Sequence, residues 1–194
     1  MDKRAVVEEN IKSSIDLKKR LWSDKDMIDT IVELSDLIVE RYKKGAKVLF
    51  CGNGGSAADA QHLAAEFSGR YYYDRPPLFA EALHVNTSYL TAVANDYSYE
   101  EVFARLVQGM GREGDILIGL STSGNSANVV NALIRAKKIG MTTVGFTGLG
   151  GGEMKSYCDI LLEIPSENTP RIQECHMLLG HSICELVEKD LFPR

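Results

Sequence analysis

The chain predicts a five-stranded, parallel, doubly wound α/β sheet flanked by helices, and three observations carry that expectation. Short apolar runs alternate with helix-length stretches from Val48 to the end of the chain. A strand, a loop rich in Gly and Ser, and a helix follow one another twice: Val48–Cys51 leads into Gly52–Ser56, and Ile116–Leu120 into Ser121–Ser126. Ile116–Leu120 is also an unbroken apolar run, as expected of a strand covered on both faces.

The elements read in order as follows. Residues 3 to 44 form two helices, the first with Val7, Ile11 and Ile15 at four-residue spacing, the second with a stripe of Met27, Ile31, Leu34 and Ile38. Ser23 followed by Asp26 is the expected cap of the second helix, and Gly45 its stop. Val48–Cys51 is the first strand, and Ala57–Phe67 a helix of good formers. A polar and aromatic connector, RYYYDRPP from Arg70, ends in prolines that resist helix and central strand. Ala80–Val85 is the second strand, with His84 near its end, and a helix from Thr87 breaks near Asn95-Asp96. Val102–Gln108 is helical, Ile116–Leu120 is the third strand, and Ala127–Lys138 is a helix stopping at Gly140. Thr142–Phe146 and Ile160–Ile164 are the last two strands, and a helix begins near Pro170, which suits a first turn, and runs to about Lys189.

At 194 residues the chain suits one domain, 1–194, with a helical pair over 1–45 and an α/β core over 46–194. It carries 22 Lys plus Arg against 27 Asp plus Glu, a formal charge of −5, and no basic run. That disfavours nucleic-acid or anionic-membrane binding, and leaves any phosphate to backbone N–H and hydroxyl groups. MDKRAVVEEN has no apolar stretch behind its charges, and no run approaches a membrane span, so the cytoplasm is expected. The four cysteines, Cys51, Cys158, Cys175 and Cys184, are scattered without a C-x-x-C and read as reduced thiols. The two amino-terminal helices have stripes to bury on the sheet or on a partner subunit, so an oligomer is expected.

The chemistry begins at Lys47–Phe67, KVLFCGNGGSAADAQHLAAEF. The first N–H groups of a helix lack partners and carry partial positive charge, so a strand, glycine loop and helix cradle an anion without a lysine. Ser56 adds a hydroxyl there, and Ser121, Thr122, Ser123 and Ser126 add four more from the second loop. Each loop alone is also what a capped turn looks like. Both lie at carboxyl ends of strands, where doubly wound sheets bind ligands, and the pair favours a phosphate. Gly52, Gly54 and Ala57 also match G-x-G-x-x-G/A, but the second strand ends in His84-Val85-Asn86 without the acid that holds a ribose, which disfavours NAD. No P-loop motif is present. His62 and Glu66, at i, i+4, leave one helix face about 40° apart, either as site residues or as a surface pair worth a few tenths of a kcal/mol. His176 reads as structural.

CGNGGSAADAQHLAAEF, AVANDYSYE, LIGLSTSGNSANV, TVGFTG and TPRIQE resemble, in order and spacing, the sugar isomerase (SIS) domain, and more narrowly the phosphoheptose isomerases. The resemblance covers nearly the whole chain. It implies one zinc per subunit held by residues matching His62, Glu66, Gln173 and His181. It also implies substrate contacts at Asn53, Gly54, Gly55, Asn95, Asp96, Ser121, Thr122, Ser123, Ser126 and Gln173, and homotetramers with active sites between subunits. Two imidazoles, a carboxylate and an amide oxygen suit zinc. Gln173 and His181, however, stand eight residues apart on one helix, about 12 Å along its axis, so sharing an ion needs long reaches or different subunits.

The implied reaction interconverts sedoheptulose 7-phosphate and glycero-manno-heptose 7-phosphate, a precursor of bacterial surface heptose. Moving a proton between C1 and C2 requires a base, an acid and charge stabilisation. Glu66 is the expected base, His181 its acid partner, and zinc a Lewis acid. The competing class is a non-catalytic SIS module that senses a sugar phosphate or binds a replication initiator, and this chain's carboxyl-terminal run CHMLLGHSICELVEKDLFPR resembles the initiator-binding branch. Such relatives lack the acid at Glu66 and the imidazole at His181, and this chain has both.

Overall fold

A computed structural model describes all residues, 1–194. Two long helices, α1 (Lys3–Ser23) and α2 (Lys25–Lys43), precede β1 (Val48–Gly52) and α3 (Gly55–Ser68). There follow β2 (Ala80–Ala82), α4 (Thr87–Asp96), a single 3-10 turn (Tyr99–Glu101), α5 (Val102–Met110), β3 (Ile116–Ser121), α6 (Ala127–Lys138) and β4 (Thr142–Thr147). A second 3-10 turn (Glu153–Ser156), β5 (Ile160–Glu163) and α7 (Thr169–Leu191) complete the chain. The five strands form one sheet in the order β2-β1-β3-β4-β5, and every pairing is parallel, as the sequence predicts.

Strand alternation divides the core in two. Val48 and Phe50 of β1, with Ile116 and Ile118 of β3, point to the face covered by α2, α3 and α7. Leu49, Cys51 and Leu117 point to the opposite face, where Val102, Phe103 and Val107 of α5 and Val129 and Leu133 of α6 meet them. Both faces are covered, which is why the strands read as near-continuous apolar runs. No helix is long and apolar enough to cross a membrane.

Two local expectations are corrected. The second helix is capped by Asp24, whose carboxylate accepts from Met27 N at 3.0 Å. Ser23 instead ends α1 and turns its hydroxyl back onto Lys19 O, and Asp24 serves at once as the C-cap of α1 and the N-cap of α2. The second strand stops at Ala82 rather than Val85, because an edge strand has only β1 to pair with and the chain turns there, Val85 N donating to Ala82 O. His84 therefore sits in that turn. On α1, Val7, Ile11 and Ile15 remain about half exposed, so within one chain their stripe has no cover.

Candidate active site

The sheet order reverses at β1, whose neighbours β2 and β3 carry the chain to opposite sides, and β1 and β3 lie side by side with Gly52 opposite Leu120. Their loops therefore open together at the switch point, where doubly wound sheets bind ligands. A cavity of about 300 Å³ lies between them, lined by Asn53, Gly55, Ser56, Ser121, Thr122, Ser123, Ser126, Thr169 and Gln173, with Leu120 at its floor. Ser121 is buried, and its hydroxyl is 2.9 Å from that of Ser126 and 3.4 Å from that of Ser123. The cavity thus offers clustered hydroxyls, an amide and the amino end of α3, with no fixed cation.

From this cavity α3 and α7 run side by side in the same direction. The two helices touch at three levels. At the first, a Cβ on Gly55 would run into the Gln173 amide. At the second, a Cβ on Gly180 would stand 2.6 Å from Leu63 Cδ2. A side chain at either position would force its neighbour to move. At the third, His62 of α3 meets His181 of α7. Along the exposed edge of α3, Gly55, Asp59, His62 and Glu66 stand at i, i+4, i+7 and i+11, one stripe leading from the cavity to the imidazoles.

At that lower level three groups converge. His62 Nε2 is 3.0 Å from His181 Nε2 and 3.1 Å from Glu66 Oε1. The ligand atoms of all three lie within 4.8 Å of one another, a set that can hold a metal ion. Two imidazole nitrogens and a carboxylate oxygen are the donors divalent first-row metals take. The i, i+4 pair is thus more than a surface ion pair, because a third donor reaches it from another helix. Burial lowers the pKa of His181, as does His62 beside it, against the opposing pull of Glu66. Neutral imidazole, the form so favoured, is the metal-binding form. Asp59, one turn up the stripe, is pushed the other way: burial raises its carboxyl, and its Oδ2 is enclosed without a hydrogen-bond partner.

The expected residues divide between the two levels. Asn53, Gly55, Ser56, Ser121, Thr122, Ser123, Ser126 and Gln173 meet at the cavity, and His62, Glu66 and His181 meet below. Gly54 precedes α3 with φ +54°, shaping the loop from its rim. Gln173 belongs to the upper level, two turns of α7 from His181, so the distance noted in the sequence persists within one chain. The Asn53 amide exchanges two hydrogen bonds with Asn128 and accepts one from Tyr99. Asn95 and Asp96 are exposed at the end of α4, hydrogen-bonded to each other and outside the cavity wall. Thr169, Asp59 and Tyr71 were not anticipated. Asp59 was readable from its spacing to His62, whereas Tyr71, whose ring is 5.8 Å from that of His181, had no local signal. His176 is fully buried and bonds through Nε2 to Thr147 O at 3.1 Å, tying α7 to the end of β4.

A family model described as the SIS domain matches residues 12–148. The phosphoheptose isomerase of Clostridium acetobutylicum is 54% identical over 186 residues, covering 96% of this chain and 95% of that protein. Among solved structures, a phosphoheptose isomerase from Francisella tularensis superposes with a TM-score of 0.93 at 33% identity, covering 97% of this chain and all of that one. One from Neisseria gonorrhoeae gives 0.90 at 40% identity, covering 96% and 98%.

Proposed function

The chain belongs to the SIS-domain family and, within it, to the phosphoheptose isomerases, and on that premise we propose that it interconverts sedoheptulose 7-phosphate and glycero-manno-heptose 7-phosphate. The observation that carries the reading is the spacing of the two levels. Seven residues of α3 separate Gly55 from His62 and eight of α7 separate Gln173 from His181, about 10 to 12 Å at 1.5 Å per residue. An extended chain advances about 1.2 Å per bond, so the seven bonds from C2 to phosphorus in a heptose 7-phosphate cover about 8 Å, and the three in a triose phosphate about 4 Å. With a contact at each end, the longer sugar fits the gap and the shorter one falls short of it.

In this reading the hydroxyls of Ser121, Thr122, Ser123 and Ser126 and the N–H groups at the start of α3 hold the phosphate, and Ser56 and Gln173 border it. That remote grip fixes where C1 and C2 lie. The Glu66 carboxylate takes the proton from C1 of the ketose and returns it to C2, the electron pair of the broken C–H bond forming the enediol. His181 passes a proton between the two sugar oxygens. His62, Glu66 and His181 suit zinc, which when bound would supply Lewis acidity to those oxygens. A carboxylate committed to a metal is a weaker base, so Glu66 serves the two roles at different moments. For a fourth ligand we favour Gln173 of another subunit over that of the same chain, given the two turns between Gln173 and His181.

We further infer a homotetramer. The bare α1 stripe of Val7, Ile11 and Ile15, and an apolar groove of about 340 Å³ lined by Leu21, Trp22, Ile28, Val32, Leu178 and Leu186, support association. A monomeric mass by light scattering at micromolar concentration would remove this inference. The cytoplasm suits the four unpaired cysteines, since its thiol pools keep them reduced.

The deciding experiment is NMR of the protein with sedoheptulose 7-phosphate in heavy water, with zinc or a chelator added. Deuterium at C2 of an aldose product is expected, suppressed by chelator, with fructose 6-phosphate and ribulose 5-phosphate turned over progressively more slowly. No exchange under any metal condition overturns the isomerase reading in favour of a binding module.

A further inference from the structure

A buried ion pair lies beyond the lower end of the seam, where none of the proposed chemistry takes place. The side chains of Arg75 and Glu188 are each 2% exposed, and Arg75 Nε is 3.1 Å from Glu188 Oε1. Such a pair contributes little net stability compared with apolar side chains filling the same space, because both charges must leave water. What distinguishes this one is where its remaining bonds go.

Arg75 closes the carboxyl end of α3. Its Nη2 donates to Glu66 O at 2.8 Å, and its Nη1 to Phe67 O at 2.7 Å and to Gly69 O and Pro76 O at 3.1 Å. Glu66 O and Phe67 O lie in the last turn of α3, where carbonyls have no partner within the helix, and here they meet a cation at the negative end of the helix dipole. One of them belongs to Glu66 itself. The guanidinium therefore fixes the backbone from which the site's carboxylate projects.

Glu188 does the same for the connector and α7. Its Oε1 accepts from Tyr71 N at 2.9 Å and its Oε2 from Tyr72 N at 2.7 Å. Burial alone would raise this carboxyl, but the two amides and Arg75 outweigh it and hold it below the ordinary range. The two amides locate Tyr71, whose ring lies 5.8 Å from the His181 ring at 30°. Glu188 is also seven residues past His181, two turns along the same face of α7. The pair thus grips the helix of Glu66, the helix of His181 and the aromatic ring behind that imidazole.

We propose that Arg75 and Glu188 are positioning residues that set the approach of Glu66 to His181, through the Glu66 carbonyl on one side and Tyr71 on the other. The proposal rests on the isomerase reading for its effect on turnover but not for its effect on metal binding. Outer partners of metal ligands typically change affinity or activity by 10- to 100-fold when altered.

The test compares Glu188→Gln and Tyr71→Leu with the unaltered protein, well below the unfolding temperature. Glu188→Gln keeps the side-chain shape, and Tyr71→Leu leaves the ion pair intact if the first variant fails to fold. Two quantities are read: zinc affinity by competition with a chromophoric chelator, and kcat and KM for sedoheptulose 7-phosphate. The expected result is kcat lower by roughly 10-fold or more in Glu188→Gln, zinc affinity lower by a similar factor, and KM within about threefold, with smaller changes in the same direction for Tyr71→Leu. If the folded variants keep kcat and zinc affinity within twofold while only the unfolding temperature drops, the pair is structural and the proposal is overturned. Absence of turnover in the unaltered protein would instead refute the isomerase reading, and zinc affinity would still decide this inference.

Discussion

At the Gly55 end of the α3–α7 seam the groups facing the cavity are hydroxyls, an amide and backbone N–H, all neutral across the physiological range. At the His62 end they are two imidazoles and a carboxylate, groups that exchange protons. The first set comes from loops at strand ends and the amino-terminal turns of α3 and α7, the second from side chains further along the same two helices. A phosphate already carries its charge and needs only directed dipoles, whereas a proton in transit needs groups that change charge. On the proposed reading, grip falls to the loops and the amino end of α3 and chemistry to the facing side chains of α3 and α7 further along, so changes at one end should separate from changes at the other.

The largest expected effect tests the lower end. Glu66→Gln should lower kcat by roughly 10² to 10⁴, the range for a lost general base, while KM and the unfolding temperature hardly move. Turnover retained in that variant would take Glu66 out of the base role and remove the contrast. Ser123→Ala addresses the upper end with a smaller effect. One hydrogen bond to a charged phosphate is worth about 1.5 kcal/mol, so KM should rise about 10-fold with kcat within about twofold, and an unchanged KM would place the phosphate elsewhere.

The joint between the ends should show itself in stability rather than in turnover. Burial pushes the His176 imidazole down to about 4 from 6.5, only partly offset by its bond to Thr147 O. Between those two values the unfolded chain binds the proton and the folded chain does not, so stability is complete above about 6.5 and declines as pH falls toward 4. The loss amounts to about 3 kcal/mol at most. Denaturation at several pH values should show this slope in the unaltered protein and not in His176→Gln, whose amide still reaches Thr147 O. Carboxylates that titrate lower, such as Asp159 and Glu174, are common to both and cancel in the difference. Equal slopes would refute the assignment.

How much of this was legible in the sequence follows the same division. The upper end is local: Gly52–Ser56 and Ser121–Ser126 declare themselves by composition, and strand order then brings them together. The helices and four of the five strands also fall where their periodicity puts them, because both sheet faces are covered and the apolar runs are long. The lower end is tertiary. His181 lies 119 residues from His62, and their meeting depends on Gly180 admitting Leu63, which no spacing rule announces. The Arg75–Glu188 pair, 113 residues apart, is hidden for the same reason. Ser23 was the expected cap because its residue type fits, but Asp24 is next to it and fits as well, and only the chain direction between α1 and α2 decides.

The parallel course of α3 and α7 has a consequence for how such a protein could change its trade. On the proposed reading the sugar's address label is read at one end and its carbon skeleton worked on at the other, so replacing Glu66 and His181 is expected to leave a receptor that still recognises the same molecule. Turning a catalyst into a sensor on this scaffold would then be a matter of two side chains, with no redesign of the sheet beneath them.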